Sequence, residues 1–214
     1  MRSACEWCYT NVFAMLAVNM HRRSSSGFTL IELMITVAIA AILLMVAAPN
    51  LSAFRRNAEL TSAANTFVAS INTARSEAMK RGRYAMVVPT DNGASWNAGW
   101  IVFVDIDRTQ IYNQGIDSVV ATQIELPTGI SMTGVNTATG TTPYVMFDPS
   151  GYSRDKSGGF GALTLTLART EGTAAQQLDQ TRRVIVASTG RVRMCKPLSL
   201  TDVNCASGIT STGH

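Results

Sequence analysis

Residues 27–48 read GFTLIELMITVAIAAILLMVAA, and this stretch decides the fold of the chain. From Phe28 to Ala48 the only charged residue is Glu32. At a rise of about 1.5 Å per residue, a helix of this length covers roughly 30 Å, which is the thickness of the hydrocarbon core of a membrane. The stretch therefore predicts a membrane-spanning helical segment over 28–48.

The sequence before this stretch indicates on which side of the membrane the rest of the chain lies. Arg22 and Arg23 precede the apolar run, and basic flanks of this kind stay in the cytoplasm. We therefore expect a single pass through the cell inner membrane, with the globular part in the periplasm. The formal charge of +4 is divided evenly between the segment before Phe28 and the remainder. A local basic cluster can therefore matter, whereas a global basic field cannot.

The six residues GFTLIE at 27–32 resemble the prepilin motif of type IV pilins and of type II secretion pseudopilins. The resemblance implies that a prepilin peptidase cleaves between Gly27 and Phe28, that the new amine of Phe28 is methylated, and that the apolar run is retained. Residues 1–27 are then a leader. Because leaders of this family are usually short, residues 1–19 are either an overextended gene start or an unusual leader.

Glu32 is an acid inside the predicted membrane segment. A carboxylate in hydrocarbon costs at least about 2.5 kcal/mol and usually finds a partner. The resemblance implies that this partner is the Phe28 amine of a neighbouring subunit, which would bring an incoming subunit into register during assembly. The alternative is a glutamate without a function of this kind.

Behind the apolar run, the helical pattern continues as far as Gly82. Apolar side chains recur at threes and fours in one apolar stripe and predict an amphipathic helical half over 49–81. The stripe consists of Phe54, Ala58, Ala64, Phe67, Val68, Ile71, Ala74 and Ala78. Over 82–205 the pattern changes to short strands separated by loops rich in Gly and Asn. These strands are predicted at 84–89, 99–105, 124–132, 143–148, 162–168, 182–187 and 191–195. Residues 206–214 are predicted to form a flexible tail.

A helix followed by consecutive antiparallel strands predicts the α+β class, with a long N-terminal helix packed on an antiparallel β-sheet. Three blocks of the sequence resemble the GspH/FimT branch of the pilins, which includes FimU-type minor pilins. They are GWIVFVDID at 99–107, VMFDPSGYSRD at 145–155 and RRVIVASTGRVRMC at 182–195. The resemblance implies the type IV pilin fold, with other pilins or pseudopilins and an inner-membrane assembly platform as partners.

The four cysteines form two pairs along the chain. Cys195 and Cys205 enclose a short loop, and a C-terminal disulfide there fits the resemblance to pilins; two free thiols are the alternative. Such a bond would contribute roughly 2.5–3 kcal/mol by restricting the unfolded chain. Cys5 and Cys8 form a CxxC pattern, which is weak evidence for redox or metal chemistry in a segment that is expected to be removed.

The sequence disfavours an enzyme. The histidines are His21, in the expected leader, and His214, the last residue, and no catalytic triad, HExxH or P-loop pattern is present. No cofactor is expected. Asp105 and Asp107 have a spacing at which two carboxylates can share a divalent cation. A polar turn at the end of a strand is the simpler interpretation, so no metal site is predicted.

A basic cluster near the C-terminus is the candidate binding site. Side chains two residues apart on a strand share a face about 6.7 Å apart, which is close to two axial phosphate steps on one DNA strand. Arg191 and Arg193 can therefore grip phosphates, while Val192 and Met194 point into the core. Lys196 extends the cluster by charge, and the adjoining arginines at 182–183 could widen it. The motif GRVR at 190–193 is similar to the GRxR motif of FimT-type minor pilins that bind DNA in natural transformation. The alternative is an edge strand with solvated arginines.

These observations together predict a minor type IV pilin of the GspH/FimT branch, a structural subunit of the pilus that also binds DNA. The main alternative is the H-type minor pseudopilin of a type II secretion system, which would contact other pseudopilins and not DNA. The leader motif and the fold are common to both, so they do not separate the two functions.

Overall fold

The computed structural model describes residues 27–90, 93, 95–171, 174–199 and 202–205. The predicted leader before Gly27, the CxxC pair Cys5 and Cys8, and the predicted tail at 206–214 lie outside the described residues. The chain divides into two compact units, residues 1–48 and residues 49–214. Helix α1, Leu30–Arg81, contributes residues to both.

In the first unit, the described side chains from Phe28 to Met45 are all exposed. Within the described ranges, no helix combines the length and the apolar character needed to cross a membrane. The membrane-spanning segment over 28–48 stays a prediction.

In the part of the second unit that the structure describes, α1 is followed by nine strands and a short α-helix. The strands are β1 (Ala85–Pro89), β2 (Trp100–Val104), β3 (Ser118–Gln123), β4 (Ile130–Val135), β5 (Val145–Phe147), β6 (Ser153–Arg154), β7 (Leu163–Arg169), β8 (Thr181–Val186) and β9 (Val192–Cys195). Helix α2, Ala174–Asp179, lies between β7 and β8. The predicted α+β class, with a long N-terminal helix and antiparallel strands, is confirmed.

The strands form two antiparallel sheets, where the sequence predicts one. The five-stranded sheet has the order β3-β2-β1-β5-β6, and the four-stranded sheet has the order β4-β7-β8-β9. Strands β3 and β6 and helix α2 are absent from the predicted elements. The predicted strand at 124–132 instead begins at Ile130, after Pro127 and a left-handed Gly129 (φ +82°).

Both sheets pack against one face of α1. The helix contributes both small and large apolar side chains to the core. The ring of Phe67 packs edge-to-face against Trp96, with centroids 5.5 Å apart, and against Trp100, with centroids 4.9 Å apart. The helix residues of this core are Leu60, Ala63, Ala64, Phe67, Ile71, Ala74 and Ala78. These positions follow the threes-and-fours spacing of the predicted apolar stripe. Phe54, which the stripe includes, is exposed.

The two sides of the four-stranded sheet differ in burial. Leu163, Leu165 and Leu167 of β7 face the core and are fully buried. Val192 of β9 packs against the same core, as predicted, but Met194 is 37% exposed. Met194 pairs with core residue Val184 and so lies on the core-facing side, as predicted, but it is not buried. The reason is that β9 is an edge strand, which has β8 on one side and no strand of the described sheet on the other.

Candidate functional site

The hairpin of β8 and β9 carries the predicted basic cluster. Its register pairs Val186 with Val192 and Ile185 with Arg193. The turn between the strands closes with two backbone hydrogen bonds. The N–H of Gly190 donates to the carbonyl of Ala187 (2.8 Å), and the N–H of Ala187 donates to the carbonyl of Arg191 (2.9 Å). Gly190 has a φ of +78°, which explains why glycine precedes the first arginine.

The turn of this hairpin is held against the turn that precedes β6. The N–H of Ser153 donates to the carbonyl of Ser188 at 3.0 Å. Gly190 is buried and lies directly on the backbone of Gly151. Arg75 of α1 donates from Nε to the same Gly151 carbonyl at 2.9 Å. Helix, five-stranded sheet and hairpin therefore meet at Gly151, and the start of β9 has a fixed position.

Arg191 and Arg193 are exposed on the outer face of the four-stranded sheet, away from α1. Arg193 pairs with Ile185, which pairs with Thr164, and this row lies opposite the core-facing row of Leu163, Val186 and Val192. Arg191 is two residues earlier in the chain, so by alternation it shares that face. No residue in the described part of the chain forms an ion pair or hydrogen bond with either guanidinium. Both groups are therefore available to an anion.

Lys196, the third predicted residue of the cluster, has a partner. Its Nζ forms a short ion pair and hydrogen bond with the Asp179 carboxylate at the end of α2. The hydrogen bond from Lys196 holds the pKa of Asp179 below its ordinary value. Sequence reasoning missed Asp179 because it lies 17 residues from Lys196 in the chain.

The adjoining arginines of β8 are engaged as well. The guanidinium of Arg182 donates to the carbonyls of Asp179 (3.1 Å) and Thr181 (2.8 Å). That of Arg183 donates to the carbonyl of Cys205. These contacts are with neutral carbonyls and leave the positive charges in place. Among the described residues of the hairpin, the guanidinium groups that have no partner are nevertheless those of Arg191 and Arg193.

A disulfide joins Cys195 at the end of β9 to Cys205, as predicted. Cys205 is 2% exposed, so this end of the C-terminal segment is packed against the domain. The bond and the Arg183 contact together hold the segment at the end of the hairpin that is farther from the turn.

Asp105 and Asp107 lie in a loop with a third acid, Asp117, which the sequence did not single out. One carboxylate oxygen from each lies within 4.8 Å of the others. Backbone N–H groups already occupy the two buried acids: Asp105 accepts from Thr109 and Gln110, and Asp117 accepts from Ile106 and Asn113. Burial raises the pKa of Asp105. These backbone hydrogen bonds organise a polar turn after β2.

The start of α1 contains the residues of the leader motif. Gly27 and Phe28 precede the helix and are exposed. Thr29 and Glu32 form a reciprocal cap: the N–H of Glu32 donates to the Thr29 hydroxyl (3.3 Å), and the N–H of Thr29 donates to the Glu32 carboxylate (3.4 Å). This is a capping box, which satisfies backbone donors that the first turn of a helix leaves unpaired. Glu32 thus has a structural partner within its own chain.

Two family models match the sequence. The model for the type II transport protein GspH matches residues 63–190. The model for the prokaryotic N-terminal methylation motif matches residues 22–48. The first covers most of the globular part, and the second covers the capped helix start and the apolar run.

Individual proteins resemble the chain over similar ranges. It is 29% identical over 170 residues to the pilin-like protein PilA1 of Thermus thermophilus, covering 78% of this chain and 97% of PilA1. The crystal structure of the type IV minor pilin FimU of Pseudomonas aeruginosa superposes with a TM-score of 0.50 at 17% identity, over 66% of this chain and 92% of FimU. The minor pseudopilin EpsH of Vibrio cholerae superposes with a TM-score of 0.47 at 15% identity, over 66% and 99%.

Proposed function

The chain belongs to the GspH family of minor type IV pilins and pseudopilins, and from this premise we propose that it is a minor pilin that binds DNA through the turn end of its β8–β9 hairpin. Members of the family are structural subunits of filaments, so the chain is not an enzyme.

The ligand is supported by one observation, the two exposed guanidinium groups of Arg191 and Arg193 that have no partner in the described structure. They lie on one face, about 6.7 Å apart along the strand, close to two axial steps between phosphates of one DNA strand. Guanidinium groups match phosphate oxygens in a forked geometry. Because the backbone at the start of β9 is held at Gly190, little ordering of the backbone is needed when DNA binds.

The contact is expected to be with the sugar–phosphate backbone. Two arginines neutralise few phosphates, so binding by one subunit is weak, and log K falls with log salt with a slope of about −1.8 for duplex DNA. Contacts with the backbone select little for sequence. Several subunits or neighbouring minor pilins in one filament would raise the affinity by avidity. Pilus retraction would then draw the bound DNA towards the cell, as natural transformation requires.

Assembly is proposed to follow the route of the family. A prepilin peptidase would cut between Gly27 and Phe28, and the methylated Phe28 amine would pair with Glu32 of a neighbouring subunit. The retained helix would anchor the protein in the inner membrane, next to the assembly platform, with the globular unit in the periplasm before it enters the filament.

Binding to a duplex oligonucleotide at low and moderate salt tests the DNA contact. We expect the double variant Arg191→Ala/Arg193→Ala to lose most of the binding and most of its salt dependence. The matched control is Arg55→Ala/Arg56→Ala, which removes the same charge from exposed positions of α1 and should bind like wild type. If the hairpin variant also binds like wild type, the DNA contact lies elsewhere or does not exist.

A second function has one observation in its favour: the matched family is described as a type II transport protein. In that case the chain is a minor pseudopilin that contacts other pseudopilins during protein export. Deletion of the gene separates the two. Loss of transformation with normal protein release supports the minor pilin, and loss of release with normal transformation supports the pseudopilin.

A further inference from the structure

Two exposed aromatic rings lie beside the arginine hairpin. Tyr152 is 41% exposed and Phe160 is 61% exposed, and their centroids are 5.7 Å apart in an edge-to-face arrangement. The guanidinium of Arg154 lies over both rings, 4.2 Å from the Phe160 centroid and 5.9 Å from that of Tyr152. We refer to Tyr152, Arg154 and Phe160 as the aromatic platform.

Contacts with neighbouring residues fix the geometry of the aromatic platform. Asp148 accepts from the Arg154 Nε at 2.7 Å and so fixes the guanidinium that holds the rings. Arg154 and Phe160 also form an antiparallel bridge through their backbones. Two large aromatic side chains are thus kept in a defined orientation at the surface, although solvent exposure of a large ring is unfavourable. No role within the core accounts for them.

The platform and the hairpin arginines share one surface. Ser153 of β6 bonds to the hairpin turn through Ser188 and to the Phe160 segment through Gly161, whose N–H donates to the Ser153 carbonyl at 2.9 Å. Ser153 thus lies between the two segments, and two strand spacings of about 4.8 Å each place Gly161, the neighbour of Phe160, roughly 10 Å from Ser188 in the hairpin turn. Gly161 and Leu163 are two residues apart and are both buried on the core-facing side. Phe160 is one residue before Gly161 and is exposed, so its side chain lies on the outer face, like that of Arg193.

We propose that Tyr152 and Phe160 stack unpaired nucleotide bases while Arg191 and Arg193 hold the phosphates, so that the hairpin site prefers single-stranded to duplex nucleic acid. Basic grooves with adjoining aromatic rings bind single strands in this way, because every base has a face that can stack. In a duplex the bases are already stacked on one another, and only the phosphate contacts remain. The inference rests on the proposed DNA contact and specifies its ligand.

Binding of the full chain in detergent micelles to oligothymidylate and to a blunt hairpin duplex of equal charge tests the proposal. We expect tighter binding to the single strand. Phe160→Ala should weaken single-strand binding about tenfold and leave duplex binding unchanged. Phe160→Leu, which keeps an apolar side chain without a ring, should behave like Phe160→Ala. Tyr152→Phe, which keeps the ring, should bind like wild type.

The salt dependence separates stacking from charge. Phe160→Ala should lower the affinity for the single strand at every salt concentration without changing the slope of log K against log salt. Arg191→Ala should reduce that slope by about 0.7. Equal binding of both nucleic acids, or a Phe160→Ala variant that binds oligothymidylate like wild type, would overturn the stacking proposal while the arginine contact stands. Absence of binding to either nucleic acid would overturn both.

Discussion

Gly190 and Gly151 touch through their backbones so closely that a β-carbon on Gly190 would stand 2.0 Å from the carbonyl oxygen of Gly151. The contact joins the arginine hairpin to the turn before β6. It also explains the glycine of the GRVR motif without reference to DNA, since Gly190 is required by its positive φ and by its neighbour.

Replacement of Gly190 by alanine is expected to lower the free energy of unfolding by about 2–4 kcal/mol, because the new methyl group meets backbone and the φ is unfavourable. Denaturant unfolding measures the loss. Gly140→Ala is the matched control: Gly140 has a φ of +94° but nothing within 4 Å of the added carbon, so about 1–2 kcal/mol is expected. Equal losses at the two positions would contradict the close contact.

Removal of the disulfide by Cys195→Ser/Cys205→Ser should lower the free energy of unfolding by roughly 2.5–3 kcal/mol, because the unfolded chain regains the freedom of the closed loop. Chemical denaturation of wild type with and without reductant provides the same comparison without substitution. The reduced wild-type protein and the double variant should agree. A variant as stable as the oxidised protein would show that the loop contributes nothing to stability.

Release of Lys196 from Asp179 is expected to strengthen DNA binding. Asp179→Asn removes a negative charge and frees the Lys196 ammonium for a phosphate, so affinity for a duplex oligonucleotide should rise a few-fold and the salt dependence should steepen. Asp202→Asn, which removes one charge from the C-terminal loop, is the control for general charge. If both variants gain equally, the effect is one of net charge and not of the ion pair.

The same ion pair gives a dependence of stability on pH. The pKa of Asp179 is lowered in the folded protein by its hydrogen bond with Lys196, so the ionised form is bound more tightly in the folded than in the unfolded state. Its contribution is fully present above the ordinary value of 3.8 and is lost as the pH falls through the folded value. The stability difference between wild type and Lys196→Met should therefore shrink on acidification below pH 3.8. A stability difference that does not change at all on acidification would exclude the pair.

Glu32→Gln separates the cap of α1 from a role of the charge in assembly. Glutamine keeps an oxygen for the Thr29 N–H but carries no charge, so the capped helix should persist while incorporation into filaments falls steeply. The yield of the protein in sheared filaments, relative to the membrane fraction, measures this. Thr29→Val removes the hydroxyl of the cap and should assemble nearly normally. The reverse pattern would assign Glu32 a capping role alone.

The sequence predicted those parts of the fold that local patterns specify. The threes-and-fours spacing identifies the buried positions from Ala64 to Ala78, and continuous apolar runs identify β1, β2 and β8. Strand β3 was missed although Val119, Val120 and Thr122 favour a strand, because it is only partly buried and has no clear apolar alternation. Division into two sheets also depends on distant pairings, such as Val87 of β1 with Val145 of β5.

For the candidate site, too, only the features that local sequence patterns specify could be predicted. The spacing of Arg191 and Arg193 in the chain is enough to place them on one face of a strand. The ion pair of Lys196, the third acid of the Asp105 loop and the aromatic platform all depend on contacts between segments that are distant in sequence. The glycine contact that brings Tyr152 beside the hairpin has no local signature.

The junction at Gly151 also determines how the protein responds to a pull. A nucleic-acid strand bound at Arg191 would exert tension on Gly190, which contacts the Gly151 backbone. Arg75 links that backbone to α1 through a hydrogen bond. Each step is a short contact between ordered elements. A pulling force on a bound ligand would therefore pass from the hairpin turn to α1 without first extending a loop. The hairpin is in this sense mechanically coupled to the long helix.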